Sequence, residues 1–292
     1  MIVPAATLQT SRPKMWNSVF LLLRLRIRLW FNTFKKAKLI RKILTIVFAL
    51  VVLGFGVGLM IGSFFVLKLL QSPQLAGYLD ISPILNALPT IILTAGFIVI
   101  LATNFSVLLQ ALYLSRDMDF LIAAPIPMRA VFLSKMIQAI LPNFGLFCLA
   151  GLPILIGLAS SQGYNPVFYV AMVIQTSALA LAAGGLASIL VMLVVRIVPA
   201  RRVAEVLGFV GALVTITFSQ MGNLMGQADL SKVQVADVFS RLTFLNQSWS
   251  PLAWIGRSLV DLGNGLWASG LALTGVTLAL STGIFVFSLV TV

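Results

Sequence analysis

What most constrains this chain is a succession of apolar runs, each as long as a lipid bilayer is thick. The first, Ile43 to Leu67, contains no charged side chain. A hydrocarbon core of about 30 Å needs roughly 20 helical residues at about 1.5 Å rise each. Runs of that kind recur at about 43–67, 86–112, 131–158, 167–195, 203–225 and 266–292. Backbone groups in hydrocarbon must be satisfied within the segment, so helices are the expected form. A membrane barrel would need short stretches alternating apolar and polar residues, and these runs are continuous and too long for that. Composition agrees: the chain is 60% hydrophobic and 9% charged with mean hydropathy +1.08, where soluble domains are about 45–50% apolar and about 25% charged. The expected fold is all-α, a polytopic membrane protein with about six transmembrane helices and an N-terminal interfacial amphipathic helix.

Residues 1–42 form a region of their own ahead of the six-span domain at 43–292. They hold ten basic residues and no acidic one: Arg12, Lys14, Arg24, Arg26, Arg28, Lys35, Lys36, Lys38, Arg41 and Lys42. Trp16, Phe20, Leu25, Leu29, Trp30 and Phe34 are interleaved with them. Arg24, Arg28, Lys35, Lys38 and Lys42 recur at helical spacing. This pattern reads as a helix in the membrane interface, with cations reaching anionic headgroups and aromatics below them. The formal charge of +13 therefore points to the lipid bilayer as partner and not to nucleic acid. The apolar run that follows is too long for the core of a cleaved signal peptide.

Placing the N-terminus in the cytoplasm puts sixteen Lys and Arg on the inner side and four on the outer, namely Lys68, Lys232, Arg241 and Arg257. That asymmetry is the positive-inside rule, and the opposite orientation would invert it. The expected location is a cell inner (plasma) membrane, multi-pass. Residues 159–166 form a short uncharged outer turn. The segment at about 231–263 reads as short outer helices on or dipping into the outer leaflet, or packed on the spans. Val235, Val238, Phe239, Leu242 and Leu245 make one apolar stripe, and Leu252, Ile255, Leu259 and Leu262 another, with Ser250-Pro251 as a start and Gly263 as a stop. An apolar run that ends at Val292 without Lys or Arg reads as a piece of a longer polypeptide.

Chemistry is conspicuous by what its usual residues are not. There is no histidine, and the single cysteine is Cys148. That removes imidazole ligands and imidazole acid–base chemistry, and no metal site is expected. No Gly-x-x-x-x-Gly-Lys-Ser/Thr stretch occurs, so no cofactor is expected in this chain and no ATP hydrolysis by it. The seven acidic residues, Asp80, Asp117, Asp119, Glu205, Asp229, Asp237 and Asp261, fall at span ends or in loops. An ion-coupled carrier usually keeps such groups inside the membrane. Asn104, Gln110, Gln138, Asn143, Gln175, Thr176, Gln220 and Asn223 are the polar residues within spans. They suit either a substrate path, whose contacts are unknown, or interhelical hydrogen bonding. Gly54, Gly58 and Gly62 share one face of the first span, where a neighbouring helix could approach closely.

The segment between the second and third spans, Ser115 to Arg129, reads as a short helix at about 116–124. Ser115 can cap it, Asp117 and Asp119 suit the positive end of its dipole, and Pro125 and Pro127 end it. Met118, Leu121 and Ile122 then lie exposed between charged flanks on the cytoplasmic surface. Such a helix calls for a protein partner or the headgroup layer.

Taken in order, these features resemble the permease subunits of ATP-binding-cassette exporters of the second (type V) class. The basic, aromatic N-terminal helix is similar to their connecting helix. Arg116-Asp117-Met118-Asp119, Ala124-Pro125-Ile126-Pro127, Arg129 and Lys135 resemble their coupling helix and the start of the third span. Pro199-Ala200-Arg201-Arg202 resembles a short basic inner loop, and Ser250-Pro251-Leu252-Ala253-Trp254 the approach to their small outer helices. The resemblance implies a cytoplasmic ATP-binding-cassette ATPase as partner, carrying ATP and magnesium. Arg116, Asp117, Met118, Asp119, Leu121, Ile122 and Arg129 would couple to it. It also implies a second six-span half, whether the same chain continued, an identical copy or a paralogue. An ion-coupled secondary carrier and a non-transporting membrane scaffold are the alternatives.

Overall fold

A computed structural model describes residues 38–72, 82–114, 127–197 and 249–291, with helical positions scattered between 19 and 36 and at 202, 203 and 205. The described chain forms α1 (Leu39–Leu70), α2 (Ser82–Leu109), α3 (Met128–Gln162), α4 (Val167–Ile197), α5 (Pro251–Gly263) and α6 (Trp267–Val290). A π-helix, Gln110–Leu114, continues α2. All but α5 are long and apolar enough to cross a membrane. The expected fifth span at 203–225 lies outside the described residues apart from a few helical positions at its start. The 231–245 outer piece and the whole 116–124 helix lie outside them as well.

Local chemistry sets the helix ends, although α3 runs to Gln162, four residues into the turn expected at 159–166. Gly163 caps α3 with φ 67°, a left-handed conformation that glycine adopts without a Cβ clash. Pro127, with φ −60° and ψ 130°, precedes α3, and its carbonyl accepts from Ala130 N at 2.8 Å. Pro251 occupies the first turn of α5, where its missing N–H costs nothing, and Gly263 ends that helix.

The helices alternate between two ends of the bundle. At the basic end, Leu108 and Leu112 of α2 and the π-helix meet Phe132 and Met136 of α3, and Val191 of α4. Val19 of the N-terminal helical stretch joins them there, buried against Ala130 and Leu133. At the other end Gln71 beyond α1 donates to Gln162 of α3 at 3.1 Å, and Asn165 N to the Gly263 carbonyl at 3.0 Å. Helix α4 is central, packing on α2, α3, α5 and α6, while α1 packs on α3 at the edge.

Helix α5 does not lie on the surface. Its first turn contacts the same cavity as Phe97, Ala182 and Leu280, about midway along α2, α4 and α6, and its last residue reaches the end turn at Asn165. It therefore dips about 20 Å into the bundle, the length of 13 residues. The stripe of Leu252, Ile255, Leu259 and Leu262 accounts for one buried face. Gly256, Ser258 and Gly263 supply the others, small enough for Thr90 and the Tyr164 ring to press against the helix backbone.

The expectation for Gly54, Gly58 and Gly62 is not met within the described chain. No described residue lies within 4 Å of a side chain built on any of them. The face of α1 that meets α3 is two residues out of phase with them, a rotation of about 200°. There a Cβ placed on Gly56 would stand 3.5 Å from the Leu149 carbonyl oxygen, and one on Gly157 of α3 would run into Ser63 and stand 2.7 Å from the Met60 carbonyl oxygen.

Candidate functional site

Polar side chains are gathered at two places inside the bundle. The first centres on Gln175 of α4, which has no exposed surface. Its Nε2 donates to Ser258 Oγ of α5 at 2.7 Å and to Thr274 Oγ1 of α6 at 3.2 Å. Its Oε1 accepts from Thr277 Oγ1 of α6 at 2.9 Å. The amide orientation follows from a count of donors. The Ser258 and Thr274 hydroxyl hydrogens already go to the carbonyls of Ile255 and Gly270, both at 2.8 Å, so those oxygens can only accept from Gln175. One glutamine thus ties three helices together, at about 0.6 kcal/mol and at most about 1.7 kcal/mol per bond in a bilayer.

The second place lies nearer the basic end. Asn143 of α3 donates to Asn104 Oδ1 of α2 at 2.7 Å and to the Ala139 carbonyl at 3.1 Å. The Asn104 Nδ2 group is buried and has no hydrogen-bond partner among the described residues. Beside it Gly184 leaves room for Ile140 of α3, while Gly185 on the next face takes the α6 backbone, with Phe285 Cα 3.1 Å from where a Cβ would stand. The two glycines let α3, α4 and α6 converge.

The remaining polar residues divide. Thr176 is buried and bonds back to its own helix at Met172 O, 2.6 Å away. Gln138 is half-buried in α3, and Gln110 is exposed in the π-helix. Gln220 and Asn223 lie outside the described residues. So do Arg116, Asp117, Met118, Asp119, Leu121 and Ile122. Of the coupling set only Arg129 is described, exposed in the first turn of α3 at the basic end. The π-helix at Gln110–Leu114 immediately precedes the segment that holds the others. Such short departures from α geometry occur frequently at functional sites.

Sequence reasoning missed Ser258, Thr274 and Thr277 as partners of Gln175, and also the buried Ser281 and Ser288. The signal was present. Thr274, Thr277, Ser281 and Ser288 recur at intervals of three, four and seven, which places them on one helical face. At the far end Tyr164 packs on Gly263 and on Phe168, ring centroids 5.1 Å apart, and burial raises its phenol above the usual range.

A family model described as "Putative ATP-binding cassette" matches residues 37–292. The chain belongs to this family. The match takes in every helix from α1 to α6. No curated protein and no solved structure matches the chain. Membership of the ATP-binding cassette family sets the chain in the context of ABC transporters. Five of its helices are long and apolar enough to cross a membrane, the character of a multi-pass membrane protein. An association with an ATP-binding cassette component goes with that family.

Proposed function

We infer that the chain is the transmembrane permease subunit of an ATP-binding-cassette exporter. In this reading it forms part of the translocation path and transmits conformational change from separate cytoplasmic ATPase subunits. One observation carries it. The family match covers residues 37–292, and nowhere in that stretch, or in the whole chain, is there a Gly-x-x-x-x-Gly-Lys-Ser/Thr sequence to cradle a nucleotide's phosphates. What the stretch does hold is bilayer-spanning helices. In an ATP-binding cassette system such a chain supplies the membrane part, and ATP with its magnesium belongs to a partner.

The partner's contact is the segment between Leu114 and Pro127. It joins two spans at the basic end, the end the positive-inside rule assigns to the cytoplasm. In the helix read from the sequence, Met118, Leu121 and Ile122 would supply an apolar surface, with Arg116, Asp117, Asp119 and Arg129 at its margin. Replacing Leu121 by Asp puts an unpaired charge into that contact, at a cost of about 2 kcal/mol or more. ATPase co-purification should fall at least tenfold while membrane insertion stays intact. Retained co-purification and transport in Leu121→Asp would remove this segment from the coupling role.

The family's description favours a second reading, in which this chain itself binds ATP. The purified chain would then bind a fluorescent nucleotide analogue without any partner, with magnesium dependence. The permease reading expects no such binding.

A further inference from the structure

We propose that the cavity beneath the first turn of α5 is a binding site for a neutral amphiphile drawn from the bilayer, with an apolar body and a hydroxyl or carbonyl end. The cavity has a volume of about 280 Å³ and is lined by residues of α2, α4, α5 and α6. Phe97 and Ala182, midway along α2 and α4, line it together with Leu186 and with Thr277, Leu280, Ser281 and Ile284 of α6. An apolar cavity of about 150 Å³ accepts one benzene, so this one has room for roughly ten to twelve carbon atoms.

Two independent features make one end of it polar. Ser281 of α6 lines the cavity and is 2% exposed, yet its hydroxyl makes no hydrogen bond among the described residues. Every other buried serine of the described chain bonds to a carbonyl of its own helix: Ser134, Ser188, Ser258 and Ser288. Ser281 alone among them keeps its hydrogen free. The second feature is the start of α5. Ser250 and Pro251 line the same cavity, and the Ser250 side chain makes no cap hydrogen bond. The first-turn N–H groups of a helix favour an acceptor.

Ligand class follows from these groups. A free hydroxyl and a helix N-terminus both offer hydrogen to an oxygen acceptor. No charged side chain among the described residues lines the cavity, and an ion at this depth would be costly, so the acceptor is neutral. The wall is aliphatic and aromatic, which suits an alkyl or ring body. Binding of this kind needs neither nucleotide nor a partner, so it stands or falls separately from the permease reading.

The test uses the full chain in lipid nanodiscs and a diazirine-bearing dodecanol, with adducts mapped by mass spectrometry. Adducts should concentrate on 179–186, 250–255 and 277–284, and unlabelled dodecanol should compete about 3- to 10-fold better than dodecane, the worth of one hydrogen bond. Ser281→Ala should erase that preference while leaving the helical circular dichroism unchanged. Ala182→Phe should fill the space and abolish labelling; should that variant fail to fold, Ser281→Ala decides. Adducts spread over outward residues such as Val170 and Leu271, equal competition by dodecane, or a preference that survives Ser281→Ala would each overturn the proposal.

Discussion

Helices α1 and α4 are nearly indistinguishable in apolarity and opposite in surroundings. Their most apolar stretches have mean hydropathy 2.7 and 2.5, yet 6% of the first is buried within the chain and 56% of the second. The difference lies in side-chain size and polarity. Helix α1 carries Phe48, Leu50, Leu53 and Phe55 outward, large groups that hydrocarbon solvates as well as protein does. Helix α4 is built from alanines, the Gly184–Gly185 pair, Gln175, Thr176 and Ser188, all buried. Lipid supplies no hydrophobic force between helices, so association depends on close approach and on hydrogen bonds, and small and polar residues provide both. In a membrane chain the greasiest helix is therefore not the most interior one.

Matched substitutions in the two helices test this contrast. Phe168→Ala should cost about 3 kcal/mol or more, because a fully buried ring leaves a cavity between α4 and its neighbours. Phe48→Ala, at a residue 68% exposed, should stay within about 0.5 kcal/mol. Denaturant titration in mixed micelles measures both, and equal losses would break the comparison.

Glycine replacement is the next in size. Gly185→Leu forces a side chain against the α6 backbone and should cost about 1–3 kcal/mol, whereas Gly58→Leu meets nothing and should leave thermal stability unchanged. A drop with Gly58→Leu would show that the outward glycine face of α1 meets another chain. Gln175→Leu should cost about 1–2 kcal/mol by removing the bonds to α5 and α6. Hydrogen exchange of α5 amides should rise with it, and a change confined to α4 would sink the three-helix tie.

The smallest effect concerns pH. The Tyr164 phenol is raised by burial, so the folded state holds its proton where the unfolded state has lost it. Its contribution is present below the unfolded value and is lost as pH rises through the folded one. Stability should fall above about pH 10, and Tyr164→Phe should flatten that decline in an alkaline melting series.

Much of the fold was legible because a bilayer imposes a length. The runs at 43–67, 86–112, 131–158, 167–195 and 266–292 all fall on helices, and the start at Ser250-Pro251 and the stop at Gly263 appear where turn chemistry puts them. The site was less legible. Gln175 and Asn104 stood out as polar residues in apolar runs, but their partners are 83 to 102 and 39 residues away in the chain. Ser258 and Thr277 are ordinary residues until the helices meet, and Asn143 stands out by its polarity without naming Asn104 as its partner. The outward turn of Gly54, Gly58 and Gly62 teaches the same point, since a four-residue period defines a face without saying what it faces.

Sequence alone determined that this chain is helical and polytopic, since hydrocarbon leaves the backbone only helices or closed barrels and the continuous apolar runs are too long for barrel strands. Its ATP-binding cassette membership is likewise a property of residue order. Tertiary structure decided which helix is central, that α5 plunges into the bundle, and that Ser281 faces a cavity. Those depend on rotation about helix axes and on contacts between residues far apart in the chain, where a shift of one residue turns a side chain by about 100°.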